Sequence, residues 1–139
     1  MNTRKFLIAG ILGGIVYFFL GWLIYGMLLN DYMRSSVAGV GRGHINYVAL
    51  VIGNFSMGFA LSYVLNRGRR ALASPRAGIK AGTIVGLLFA AGYDLITYGT
   101  TNLATPAQVI TNIAAFTVVS AVAGAVVGLA SRPDAVATA

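Results

Sequence analysis

Residues 6–29, 45–66, 75–99 and 106–130 form four apolar stretches, each long enough to cross a lipid bilayer, which leaves few folds open to the chain. About 20 helical residues at 1.5 Å each cover the ~30 Å of hydrocarbon. Of the 139 residues, 58% are hydrophobic and only 9% charged, where a soluble domain carries about 25% charged residues. The pattern predicts an all-α integral membrane protein, a single four-helix bundle with residues 131–139 as a flexible tail. The first stretch follows Arg4 and Lys5 as a signal peptide would. Its run without charge is longer than the roughly 7–15 residues of a signal core, and no small-residue cleavage site closes it. It reads as a retained helix.

The net charge of +7 invites a reading as a nucleic-acid binder, and Arg67-Gly68-Arg69-Arg70 resembles a basic patch. Its place in the chain argues otherwise. Arg4, Lys5, Arg67, Arg69, Arg70, Arg76, Lys80 and Arg132 fall on one side of a four-span arrangement, Arg34 and Arg42 on the other. Such a bias marks the cytoplasmic side and predicts both termini there. The basic run then faces anionic lipid head groups, with Arg67, Arg69 and Arg70 as the contacts; no nucleic-acid partner is expected. The sequence contains no cysteine, which removes disulfides and thiolate metal sites.

Local chemistry sets the helix starts. Thr105-Pro106-Ala107-Gln108 is a capping box with proline at the first helical position, where its missing N–H costs nothing. Ser74-Pro75 is a weaker version of the same signal. Short connections predict that the second, third and fourth spans are antiparallel neighbours. Residues 30–44 form the longest loop; within it, Gly39-Val40-Gly41-Arg42-Gly43 has the composition of an anion-binding nest but also of an ordinary flexible loop.

Small residues recur at helical spacing: Gly10, Gly14, Tyr17, Gly21 and Tyr25 in the first span, and Asn54, Gly58 and Ser62 in the second. Gly78, Gly82 and Gly86 follow in the third, and Ser120, Gly124 and Gly128 in the fourth. Lipid supplies no hydrophobic force between helices, so close backbone approach over such rows is what holds a bundle together. The rows serve packing within the chain, or association into a homo-oligomer or a larger membrane complex. A faint repeat aligns Ala9-Gly10, Gly14 and Leu23-Ile24-Tyr25-Gly26 with Ala81-Gly82, Gly86 and Leu95-Ile96-Thr97-Tyr98-Gly99. Taken as a duplication, it makes two helical hairpins in parallel orientation, with Asp94 and Thr97 where the second copy departs from the first.

Asp94 is the only acid inside an apolar stretch. A carboxylate at membrane depth costs roughly 2.5–3.5 kcal/mol even on the lenient insertion scales, so something must offset it. Helical spacing puts Asp94, Thr97, Tyr98 and Thr101 on one face. Asn102 in the loop, Gln108 and Asn112 at the start of the fourth span and Asn54 from the second complete a candidate polar site near the outer surface. Asp94 is then a structural clamp between the third and fourth spans, or a proton or cation acceptor on a solute path. Three acids, one histidine and no cysteine assemble neither a familiar nucleophile triad nor a metal cluster, so no enzyme, cofactor or metal is expected.

Tyr93-Asp94-Leu95-Ile96-Thr97-Tyr98-Gly99-Thr100 resembles the Tyr-Asp-Leu-Thr-Asn-Tyr-Ala-Thr motif in the third span of a family of small bacterial four-span membrane proteins of unknown function. Gly21-Trp22-Leu23-Ile24-Tyr25 is similar to the end of the first span in a related group. Thr97 stands where the family has asparagine. The resemblance implies a multi-pass protein of the bacterial inner membrane and brings no activity with it. Two functions stay open: a small transporter or channel-like protein using the Asp94 site for a proton, cation or small solute, and a noncatalytic accessory subunit associating through its glycine faces.

Overall fold

The computed structural model describes residues 3–34, 44–67 and 74–132. Helix α1 (Thr3–Gly21) runs on into a π-helical segment (Trp22–Leu28), and a short α2 (Asn30–Arg34) follows. Then come α3 (Tyr47–Arg67), α4 (Pro75–Thr100) and α5 (Pro106–Ala130). Four of these segments, counting α1 with its π extension as one, are long and apolar enough to cross a membrane. The expected spans hold to within a few residues at each end. Both proposed caps are present: the Ser74 hydroxyl accepts from the Ala77 N–H, and Thr105 and Gln108 satisfy one another's backbone N–H groups.

Two tight hairpins make up the bundle. α1 packs antiparallel on α3, α4 antiparallel on α5, and the pairs join where α1 meets α5. α3 and α4, expected as neighbours, touch only marginally. The reason lies in which faces are small. A Cβ on Gly58 of α3 would overlap backbone atoms of Gly10 and Gly14, so that face is spent on α1. On α4, Gly78 and Gly82 likewise meet the carbonyls of Gly124 and Ser120, and Gly86 meets the Ser120 side chain. Gly128 lies against the Ser74 carbonyl. The tightest glycine faces of α3 and α4 are thus spent on α1 and α5, not on each other.

The core runs through Ala9, Tyr17, Leu61, Leu65, Val119, Ala123 and Val127. Polar side chains stitch it at one end and in the middle. Ser62 donates to the Phe6 carbonyl (2.8 Å), Tyr17 to the Ser120 hydroxyl (3.0 Å), and Asn66 to the Ser131 hydroxyl (2.9 Å). Lys5 donates to the Arg132 carbonyl (2.6 Å), so Ser131 and Arg132, expected in the tail, belong to the bundle. The rest of the tail lies outside the described residues, as do Gly39 to Gly43, Arg69 and Arg70. Arg4, Lys5, Arg67, Arg76 and Arg132 gather at one end of the bundle and Arg34 lies at the other.

Two packing expectations change. Gly21 is no tight contact: the nearest atom to a Cβ there is Asn54 Oδ1 at 3.8 Å. Gly13, outside the expected row, sits where a Cβ would press on Val127 and on Gly58 Cα (3.1 Å). α1 therefore presents two small faces, Gly10 and Gly14 toward α3 and Gly13 toward both neighbours.

Candidate functional site

Asp94 is buried, and its partner is one side chain. The Asn112 amide nitrogen donates to Oδ1 at 2.9 Å and to Oδ2 at 2.7 Å. The contact follows from the antiparallel α4–α5 pair: Gly86 lies at the Ser120 side chain, so about two turns further along α4, and as far back along α5, Asp94 comes level with Asn112. Asp94 lies six residues inside the C-terminal end of α4, roughly 9 Å along the helix. One N–H₂ group leaves most of the lone pairs of a carboxylate unused.

Asp94 borders a cavity of about 380 Å³, lined also by Tyr25, Met57, Phe89, Ala90, Tyr93, Asn112 and Phe116. Among the described residues its lining holds one carboxylate and no cationic side chain. Phe116 is held between two rings, Tyr17 at 6.0 Å and Phe89 at 6.3 Å between centroids. Met57 and Phe116 also wall a second, larger cavity, about 690 Å³, toward Ile45, Asn46 and Asn54. The first cavity is bounded by α3 and α4 as well as α5, the second by α1, α3 and α5.

Tyr25 owes its place to the π-helical turn. Eight residues of α-helix overshoot two full turns by about 80°, so in a regular helix Tyr25 would point away from the face of Tyr17. A π turn closes i to i+5 and advances less per residue. The Leu29 N–H duly reaches the Ile24 carbonyl at 2.7 Å, and the Tyr25 hydroxyl comes round to 3.5 Å from the Asn112 carbonyl.

Of the residues expected at the polar site, the structure brings Asp94 and Asn112 together and places the others elsewhere. Gln108 is buried, but its amide donates to the Tyr32 carbonyl (2.6 Å) and so ties α2 to α5. The Thr101 hydroxyl bonds back to the Thr97 carbonyl (2.7 Å), as helical threonines do. Tyr98 and Asn102 are exposed. Asn54 turns onto the Leu50 carbonyl of its own helix (2.8 Å) and faces the second cavity. At the far end Arg67 stacks over Tyr63 and donates to its hydroxyl, the ring centroid 5.3 Å away. Sequence spacing missed Tyr25, Met57, Phe89 and Phe116 at the site. Phe116 was within reach of it: it lies four residues beyond Asn112 on α5, hence on the same face.

The chain matches no family model, no curated protein and no solved structure. Geometry must therefore carry the functional reading.

Proposed function

We propose that this chain is a small multi-pass transport protein that binds a proton, cation or small solute at Asp94. The cavity at the carboxylate supports the reading: a purely structural clamp has no need of open space at its polar end, whereas a solute site requires it. Asn112 orients the carboxylate from the side and leaves the cavity face free. We further propose that the bundle end carrying Arg4, Lys5 and Arg67 is cytoplasmic, near anionic head groups, and that the membrane is a bacterial inner membrane, on the charge bias and on the resemblance of the third span. The alternative, an accessory subunit associating through glycine faces, loses support because Gly10, Gly14, Gly58, Gly82, Gly86, Gly124 and Gly128 are all occupied within the chain.

Proteoliposome flux tests the proposal. Parent protein should move protons or monovalent cations down an imposed gradient. Asp94→Asn, which keeps the side-chain shape but cannot ionise, should stay folded and lose that flux. Parent liposomes that pass none of these would refute it.

A further inference from the structure

Resting on the reading of Asp94 as a solute site, we infer that the cavity takes a hydrophobic organic cation bearing one positive charge, an alkyl- or arylammonium. The walls choose among ligand classes. Tyr25, Phe89, Tyr93 and Phe116 offer four aromatic rings, Met57 a polarisable thioether, and Asp94 the one formal charge. An anion meets that carboxylate with nothing to compensate it. A neutral apolar solute would strip water from the carboxylate and bring no counter-charge, which costs several kcal/mol in low dielectric. Small inorganic cations want a shell of oxygens, and here ring faces and carbon make up most of the lining.

An ammonium already clothed in carbon sheds little hydration on entry. It gains from the ring quadrupoles and from the carboxylate together, the recognition used by aromatic cages. The volume of about 380 Å³ lies at the compact end of the ~300–1,000 Å³ typical of small-molecule sites. Because Phe116 is fixed between Tyr17 and Phe89, part of the wall stands ready before any ligand arrives, which lowers the ordering cost of binding.

Calorimetry on the full chain in nanodiscs of zwitterionic lipid tests this, with benzyltrimethylammonium as probe, neopentylbenzene as its uncharged isostere, and sodium chloride in excess as competitor. Benzyltrimethylammonium should bind saturably, one per chain, and neither the isostere nor sodium should displace it. Asp94→Asn should weaken binding by about tenfold or more, as loss of a paired charge does. Phe89→Leu and Tyr93→Leu replace largely exposed rings and should each weaken it about two- to fivefold. The ring variants carry the test if Asp94→Asn does not fold. Absent binding, binding indifferent to Asp94 and to both rings, or equal displacement by the isostere or by sodium would overturn the inference. Proton or inorganic-cation flux that depends on Asp94, in a protein that ignores benzyltrimethylammonium, would refute this ligand class and leave the transport reading intact. Saturable, Asp94-dependent binding without flux would do the reverse.

Discussion

Replacing Gly82 by alanine should destabilise the bundle, while the same change at Gly92 on the same helix should stabilise it slightly. A Cβ at position 82 would overlap the Ser120 carbonyl oxygen and lie 2.9 Å from its carbon and 3.1 Å from Gly124 Cα. Comfortable carbon contacts fall at about 3.5–4.0 Å, so α4 and α5 must part by roughly 0.5–1 Å. All three obstructing atoms are backbone, and none can swing aside. A gap of that size forfeits about a quarter to a half of each dispersion contact, each worth ~0.1–0.2 kcal/mol. Over some 20–30 atom pairs along the Gly78–Gly86 seam the loss comes to roughly 1–2 kcal/mol, within the range known for overpacked cores. Nothing lies within 4 Å of a Cβ at Gly92, so alanine there brings only its better helix propensity, about 0.5–1 kcal/mol.

Reversible unfolding in mixed micelles, followed by circular dichroism as SDS is titrated in, measures both variants. The two midpoints should move in opposite directions from the parent. Equal midpoints would mean that α4 and α5 do not meet backbone to backbone at Gly82, and that the glycine row looks out to lipid.

Gly58→Ala should cost more than Gly10→Ala in the same titration, because a Cβ at 58 meets backbone of Gly10 and Gly14 and one at 10 meets the Phe59 ring, which can rotate away. Asn112→Leu should lose roughly 1–3 kcal/mol by leaving Asp94 buried without its donor; Asp94→Leu combined with Asn112→Leu should recover most of that, and additive losses in the cycle would break the pairing. Reporter fusions at Gly41 and Ser74 should report periplasm and cytoplasm respectively; the reverse pattern would invert the orientation drawn from the basic residues.

Span positions and helix starts were legible because they rest on local chemistry: the length of an apolar run, proline at the first helical position, a hydroxyl three residues before an N–H it can accept from. Pairing of helices was less so. Glycine spacing reveals that a face is small without revealing which helix it meets, and short connections alone favour α3 beside α4. Gly58 shows why that failed: the close approach of α1 consumed the face. At the site, Asp94 and Asn112 were recoverable from helical periodicity and level. Thr101 and Gln108 were misplaced there because their polar atoms found other partners, the Thr101 hydroxyl on the Thr97 carbonyl and the Gln108 amide on the Thr105 cap and the Tyr32 carbonyl. Tyr25, grouped by spacing with Tyr17, is brought to the site by a π turn that α-helical spacing does not foresee.

The faint internal repeat gains physical content from the packing. Gly10 and Gly14 face α3, and their aligned partners Gly82 and Gly86 face α5, so each hairpin is closed by small residues at matching positions in its first helix. The alignment sets Asp94 opposite Trp22, and there the copies part. Trp22 is exposed at the start of the π turn, while Asp94 is buried against Asn112. A two-fold bundle would pair α3 with α4 as closely as α1 with α5, and only the second of these contacts is closely packed. The space left by the missing contact is the space beside Asp94. On this view the site arises from broken symmetry: two hairpins alike in their inner packing, joined on one side and open on the other, with the chain's one intramembrane carboxylate at the opening.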